Sequence, residues 1–235
     1  MPKVDMHAHL LPGIDDGAKD LADSLTLIRG MQALGYEKLI TTPHIYQEFY
    51  PNTSAGIRAK LAEVQAAVAE AEIDVELEAA AEYFMDEHFD ELLEADDLLT
   101  FGDNQVLVEM SFFAEPPNLE EQFFQLRTKG YQPVLAHPER YLYLAPEPGR
   151  FQRFREMGVQ LQLNALSLIG HYGPEVKKLA RQLLQQRQYS FLGSDLHHQA
   201  HLEKLPKALQ AKELRGYRFQ NNQLLEKTTS SAERA

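Results

Sequence analysis

The chain contains no cysteine. Disulfides, thiolate metal sites and any chemistry run by a thiolate nucleophile are thereby excluded. No apolar run approaches the roughly 20 residues that a membrane-spanning helix needs. The opening residues, MPKVDMHAH, lack the apolar centre of a secretory signal, so the expectation is a cytoplasmic protein without membrane insertion. Positive charge is scarce too: 23 Lys and Arg stand against 35 Asp and Glu, a formal net charge of -12. Such a surface repels nucleic-acid backbones and anionic membranes, and no nucleic-acid partner is expected. An anionic ligand would need a local reversal of that field.

What is present is an ordinary globular balance, 44% hydrophobic and 25% charged over 235 residues, with nine histidines. That length suits one α/β domain, expected over residues 1–225, followed by a polar tail without periodicity at 226–235. Seven β-rich runs are expected as strands: Val4–Met6, Lys38–Thr42, Asp74–Ala79, Gln105–Glu109, Gln132–Ala136, Gln160–Leu163 and Ser190–Gly193. Amphipathic stretches lie between them. Leu21, Leu25, Ile28 and Gln32 sit at helical spacing behind Asp20 as N-cap, and Ile57, Leu61, Val64 and Val68 form a second stripe. Leu119, Phe123 and Leu126 form a third, stopped at Gly130, and Val176, Leu179, Ala180, Leu183 and Leu184 a fourth. Seven βα-like units in one domain predict a parallel sheet closed, or nearly closed, into a barrel.

Metal-ligand residue types follow nearly every expected strand. His7 and His9 follow the first, with Asp15 and Asp16 in the loop beyond. His44 follows the second in TTPH, Glu82 the third in AAAEYF, and Glu109 ends the fourth in VLVEM. His137 ends the fifth in AHPER, and Asp195 and His197 follow the seventh in GSDLHH. In a parallel barrel all strand C-termini share one face, so residues this far apart in sequence would converge there. Alternate residues of an extended segment point the same way, so both imidazoles of His-x-His can reach one ion. A mixed nitrogen and oxygen donor set suits zinc, manganese or iron, and so many ligands imply two or three divalent ions. Three such ions among four carboxylates would leave the site at about +2, the reversal an anionic ester needs.

Plainer roles are assigned elsewhere. His88 and His171 are expected as ordinary surface histidines, and His198 and His201 as neighbours of the site. Asp5 is expected to orient a ligand histidine, and Asn164 either to cap its strand or to touch ligand. Tyr46, Phe49, Tyr50, Tyr141 and Tyr143 form either an aromatic rim or packing between loops. DEHFDELLEADD reads as a solvated helical face and Gly102–Asn104 as a turn.

The runs DMHAHLLPGIDDG, TTPH, AAAEYF, VEMSF, LAHPERY and GSDLHH resemble the polymerase and histidinol phosphatase (PHP) superfamily. With YPNT, DEHF and TFGDN added, the chain is similar to the bacterial protein-tyrosine phosphatases encoded with capsule and exopolysaccharide genes. The resemblance implies a distorted (β/α)7 TIM-like barrel and a metal centre held by His7, His9, Asp16, His44, Glu82, Glu109, His137, Asp195 and His197. Of the two adjacent aspartates it favours Asp16. It implies two or three divalent ions, manganese first with iron or zinc as alternatives, and Arg140 beside the phosphate. The implied substrate is a phosphotyrosine protein, a tyrosine kinase or its tail in polysaccharide export. A histidinol phosphatase or another small-molecule phosphatase is the alternative, and a nuclease a third. Asp195 or His197 is the candidate proton donor to the leaving group. Some members carry a second arginine after Asp-x-His. This chain reads HQAHLEK there, which leaves His198 and His201 as candidates for that place.

Overall fold

The computed structural model describes residues 2–147 and 149–225; the expected tail at 226–235 lies outside the described residues. The first half of the chain carries β1 (Val4–Asp5), α1 (Leu21–Ala33), β2 (Lys38–Thr41), β3 (His44–Ile45), α2 (Ser54–Glu70), β4 (Glu76–Ala79), β5 (Glu82–Phe84), α3 (Glu87–Glu94) and β6 (Gln105–Glu109). There follow α4 (Leu119–Thr128), β7 (Gln132–Leu135), α5 (Gly149–Glu156), β8 (Gln160–Asn164), α6 (Pro174–Gln185), β9 (Phe191–Gly193), α7 (Gln199–Leu202) and α8 (Leu205–Leu209). All seven expected strands are present. Among the described residues no helix is long and apolar enough to cross a membrane.

Every ladder between these strands is parallel, and the strands run in two series, β1-β2-β4 and β3-β5-β6-β7-β8-β9. The series meet where the strand carrying β2 and β3 is interrupted at Thr42-Pro43. Proline has no N–H to give a ladder. Single bonds carry the pairing across the break: Ala80 N–H to the Thr41 carbonyl at 2.9 Å and Glu82 N–H to the Pro43 carbonyl at 3.0 Å. At the far edges Asp195 N–H donates to the His7 carbonyl at 2.8 Å and His9 N–H to the Leu196 carbonyl at 2.9 Å. The sheet is thus curled, with its outer strands touching at one end. His44 and Glu82 follow the second and third expected strands, as anticipated; they open the further short strands β3 and β5 and are direct partners across that ladder. Two-residue and three-residue strands give too short a run for period-two alternation to show in sequence.

The period-two pleat decides what fills the curl. Val4, Met6, Ile40, Leu107, Val134 and Phe191 form an inner cluster floored by Phe101 and Leu224. Their strand neighbours Leu39, Val106, Val108, Leu135, Leu161 and Leu192 face the helices in the larger core. Glu109 lies two residues beyond Leu107, on the inner face but past the apolar plug. β8 presents Gln162 and Asn164 inward, with Leu161 and Leu163 toward the helices. The curl is therefore apolar at its base and polar at the end where strands terminate.

The helices form where the apolar stripes lie. Asp20 caps α1 by accepting from Asp23 N–H at 2.9 Å. Its buried face is Ser24, Leu27, Ile28 and Met31, rotated from the expected Leu21, Leu25, Ile28 and Gln32. Leu21 and Leu25 still pack against the core as partly buried residues. On another side Leu202 of α7 packs against Gly30, where a Cβ would come within 2.1 Å of it. α6 buries the five expected residues, and Gly130 ends the α4 segment with φ +86°. DEHFDELLEADD forms α3, capped by Asp86, its carboxylates outward and Phe89 and Leu93 buried. Gly102 and Asn104 make the expected turn with positive φ.

Candidate metal centre

The polar end of the curl gathers all nine expected donors. His7 and His9 leave β1 in an extended stretch pinned from β2: Thr42 N–H donates to the Ala8 carbonyl at 2.7 Å, and Leu10 N–H to Thr41 Oγ1 at 3.0 Å. Both imidazoles are fully buried. Glu82 lies at the centre. Its Oε2 is 3.1 Å from His7 Nε2, 3.4 Å from His9 Nε2 and 3.4 Å from His44 Nδ1, and its Oε1 is 3.1 Å from His137 Nε2. Glu109 approaches His44 Nδ1 at 3.3 Å and His137 Nε2 at 3.7 Å. Asp195 Oδ1 stands 3.4 Å from His7 Nε2 and 3.4 Å from His197 Nδ1. Asp16 reaches His44 Nε2 at 3.5 Å and His197 Nε2 at 3.4 Å.

Four overlapping groups of ligand atoms result, each within 4.8 Å: His9, Asp16, His44 and His197; His7, His9 and Asp195; His7, Glu82 and His137; His44, Glu82 and Glu109. Every donor expected from the sequence belongs to at least one. Asp15 belongs to none. It accepts from Gly17 N–H at 2.9 Å and lies 2.8 Å from His9 Nδ1, fixing which nitrogen of His9 faces the centre. Asp5 does not orient a ligand histidine directly. It accepts from Ser194 N–H at 2.9 Å and the Ser194 hydroxyl at 2.5 Å, anchoring the segment before Asp195.

Two donors are aimed by unusual backbone. His137 has φ 33° and Asp195 φ 52°, the left-handed region that a residue with a Cβ adopts at a cost of about 1 kcal/mol or more. A regular strand continuation would turn these side chains away. Asp16 is placed by a tight loop, in which Ala18 N–H donates to the His9 carbonyl at 3.1 Å. A Cβ on Gly17 would stand 2.3 Å from the His9 carbonyl oxygen and 2.4 Å from His9 Cβ. Gly17→Ala is therefore expected to cost about 2 kcal/mol, as other overpacking does, and to weaken metal binding by displacing Asp15 and Asp16. A thermal melt and a manganese titration check both effects.

Without metal the cluster shares protons among its own groups. Burial disfavours a charged His9, but Asp15 overrides it and holds that imidazole well above its usual range; for His7, against the same effect of burial, Glu82 and Asp195 raise it above its usual value. Burial pushes Glu82 and Asp195 up, and the surrounding imidazoles, His7 foremost, pull both well below the usual carboxylate range. Glu109 is raised well above it by burial and by the charge of Glu82 beside it. His137 is lowered to about 4 by burial and Arg140.

Arg140 lies between two rings, 4.3 Å from the Phe112 centroid and 4.4 Å from that of Tyr172. Its Nη1 donates to Asp195 Oδ2 at 3.2 Å, and Asn164 Nδ2 donates to the same oxygen at 2.8 Å. Of the two roles expected of Asn164 the cap is present, since its Oδ1 accepts from Leu166 N–H at 2.9 Å. The expected catalytic group of Arg140, Asp195 and His197 lines one cavity of about 540 Å³ above the centre. His198 and His201 line it too. Tyr46, Phe49 and Tyr50 form part of its wall, but Tyr141 and Tyr143 do not. Tyr141 is buried, its oxygen accepting from Met110 N–H at 3.0 Å, and Tyr143 donates to the Ser111 carbonyl at 3.1 Å. Phe84, Phe112, Phe113 and Tyr172 take their place. Gln162 was also missed: its Oε1 lies 3.0 Å from His7 Nδ1 and accepts from His137 N–H at 3.1 Å. The alternation QLQLN carries the signal, a polar inner face where an apolar one is usual. A second cavity, about 630 Å³ beside Pro2 and Tyr217, is lined by no histidine or carboxylate.

The donor set fits divalent ions. It is nitrogen and oxygen only, and it sets nitrogen against nitrogen, His7 Nε2 to His9 Nε2 at 3.4 Å. His137 Nδ1 is buried without a hydrogen-bond partner. A curled parallel α/β sheet with a histidine and carboxylate cluster at its strand ends defines a hydrolase-like metal-site protein of the barrel type. Comparisons narrow the class. Residues 3–228 match the model of the family described as capsular polysaccharide synthesis, CpsB/CapC, and the chain belongs to that family. The tyrosine-protein phosphatase YwqE of Bacillus subtilis (strain 168) is 31% identical over 195 residues, 83% of this chain and 77% of that protein. The fold superposes with a TM-score of 0.81 and 29% identity on a chain from the crystal structures of YwqE and of CpsB from Streptococcus pneumoniae, described as metal-dependent tyrosine phosphatases; 89% of this chain and 87% of that one are covered. At the level of fold alone, the phosphotriesterase homology protein of Escherichia coli matches with a TM-score of 0.51 and 13% identity over 98% of this chain and 93% of that one.

Proposed function

We propose that the chain is a metal-dependent protein-tyrosine phosphatase, built as one domain over residues 1–225 whose curled sheet is a distorted (β/α)7 barrel. Its substrate is a phosphotyrosine protein of capsule or exopolysaccharide synthesis, a tyrosine kinase or its tail, and its compartment is the cytoplasm. The carrying observation is the convergence of nine nitrogen and oxygen donors, seven of which line an aromatic-walled cavity together with one ring-held guanidinium. The tyrosine phosphatase name of a relative 31% identical over most of both chains supports the same activity.

His7, His9, Asp16, His44, Glu82, Glu109, His137, Asp195 and His197 would hold two or three divalent ions, manganese first and iron or zinc as alternatives. Such ions supply Lewis acidity to phosphoryl oxygens and make a water acidic enough to attack phosphorus near neutral pH. The chain's own residues do the rest. Arg140, held flat between Phe112 and Tyr172, presents N–H donors to the equatorial phosphoryl oxygens, where charge accumulates in the transition state. Tyr46, Phe49 and Phe84 flank the substrate ring and exclude water from it. A phenolate leaving group has a pKa of about 10 and needs little help from a proton donor. His197 lines the cavity with its ring stacked on His9, but as a metal ligand whose Nδ1 donates to the Asp195 carbonyl at 2.9 Å it would keep no free N–H for the leaving oxygen.

One panel tests the activity. Protein loaded with Mn²⁺ is expected to hydrolyse a phosphotyrosine peptide faster than histidinol phosphate, to leave single-stranded DNA intact, and to stop with chelator. Preference for histidinol phosphate would overturn the protein-phosphatase assignment. Activity surviving complete metal removal would overturn the chemistry.

A further inference from the structure

The nine histidines divide by partner. His7, His9, His44, His137 and His197 each meet a carboxylate, and His88 meets Glu91 at 3.0 Å on the surface. Among the described residues, His171, His198 and His201 meet none, and Lys204 forms no ion pair. These four are not scattered. The rings of His198 and His201 lie 3.9 Å apart and those of His171 and His201 4.9 Å apart. Lys204 Nζ lies 3.1 Å from His171 Nδ1, and His171 Nε2 lies 3.2 Å from His201 Nε2, whose Nδ1 lies 3.4 Å from the His197 backbone nitrogen. His171, expected as an ordinary histidine, is hydrogen-bonded within this cluster. Neighbouring charges are mostly positive: Lys19 and Asp23 face His198, while Arg140 and Asp195, already bonded to each other, face His171.

The cluster forms one edge of the cavity already described, through His198 and His201. Aromatic residues line it too, with Phe49 63% and Phe113 93% exposed. Arg140 and seven of the nine donors, all but His7 and His9, complete the lining. A phosphotyrosine uses the floor and the aromatic wall and leaves the imidazole and ammonium edge without a carboxylate. In a chain of net charge -12, donors that lack a counter-charge of their own await one from outside.

We propose that His171, His198, His201 and Lys204 form a second anion subsite, which holds an anionic group on the residue next to the phosphotyrosine. The chemistry is that of a carboxylate or a second phosphate meeting N–H donors and an ammonium. The enzyme then selects, among phosphotyrosine segments, those that carry two anions close together. This inference rests on the phosphatase activity proposed above.

The test uses full-length protein loaded with Mn²⁺ and three peptides, in which the phosphotyrosine is flanked by alanine, by glutamate or by a second phosphotyrosine. The wild type is expected to show kcat/KM about tenfold higher for a doubly anionic peptide, the difference lying in KM. Preference for the glutamate peptide identifies a carboxylate, and preference for the doubly phosphorylated one alone identifies a phosphate. In Lys204→Met and in His171→Gln the ratio is expected to fall to within about twofold of unity. A ratio taken within one protein cancels differences in folding and metal content. Non-hydrolysable phosphonate versions of the peptides give the same ratio as a Kd by fluorescence anisotropy. A wild-type ratio near one, or a ratio that persists in both variants, overturns the subsite. Failure to hydrolyse any of the peptides would instead remove the phosphatase assignment, while the phosphonate Kd ratio still reports on the subsite.

Discussion

The Glu82→Gln protein is expected to lose at least about three orders of magnitude in kcat/KM toward a phosphotyrosine peptide, because one carboxylate serves several donors at once. Glu82 Oε2 faces His7, His9 and His44, and Oε1 faces His137. It is the carboxylate common to two of the four donor groups. An amide fills the same volume but carries no charge, and its NH2 points hydrogens where an ion or an imidazolium should sit. The side chain is fully buried, so no solvent compensates the loss. Elemental analysis should show less than the wild-type metal content after identical loading, and circular dichroism should show a folded chain. Activity within tenfold of wild type, at unchanged metal content, would mean that Glu82 holds no ion.

Manganese is expected to raise the melting temperature by on the order of 10 °C at pH 8 and by much less at pH 6. The sign follows from linkage. Burial disfavours charge on His9 and His7, but Asp15 and Glu82 raise both above the usual 6.5. Their contribution to metal-free stability is complete below 6.5 and disappears as pH rises through the raised values. Asp5 and Glu139 are pushed up to about 7 by burial, and their contribution likewise fades between the usual carboxylate range and about 7. Glu82 and Asp195, held low chiefly by His7 against the effect of burial, act oppositely: their contribution is present above the usual carboxylate range and lost in stronger acid. Through His7, His9, Asp5 and Glu139 metal-free protein loses stability toward pH 8, while His44 and His137, lowered chiefly by burial, offset part of this because they disfavour the fold below 6.5. Metal binding requires the same histidines neutral, so it strengthens in the same direction. Melting curves between pH 6 and 8.5, with manganese and with chelator, should diverge as pH rises; parallel curves would show that the buried protons are not exchanged for ions.

Much of this site is legible in sequence because each donor sits beside a strand whose apolar pattern shows. His-x-His after Val4–Met6 and Asp-x-His after the last strand announce themselves by spacing, and their meeting follows from parallel strands ending on one face. Glu139 and Gln162 are harder. Both are buried polar groups, but their partners lie 25 or more residues away: Asn164 N–H and the Ser167 hydroxyl for one, His7 and His137 for the other. Nothing local in HPER or QLQLN reveals a partner across the curl. The aromatic wall is equally opaque. Tyr141 and Phe112 both stand close in sequence to donors, yet one turns into the core and the other into the cavity, because packing at each site admits only one direction.

By itself the sequence determined the strand and helix pattern, eight of the candidate donors and the absence of thiol chemistry, since these depend on residue type and on periods of two and 3.6. Only the tertiary structure decided that Asp16 faces the centre while Asp15 braces His9, that left-handed backbone aims His137 and Asp195, and that three histidines without carboxylates share one edge with Lys204. Those outcomes turn on differences of an ångström between groups distant along the chain, and such distances are set by how the curled sheet packs as a whole.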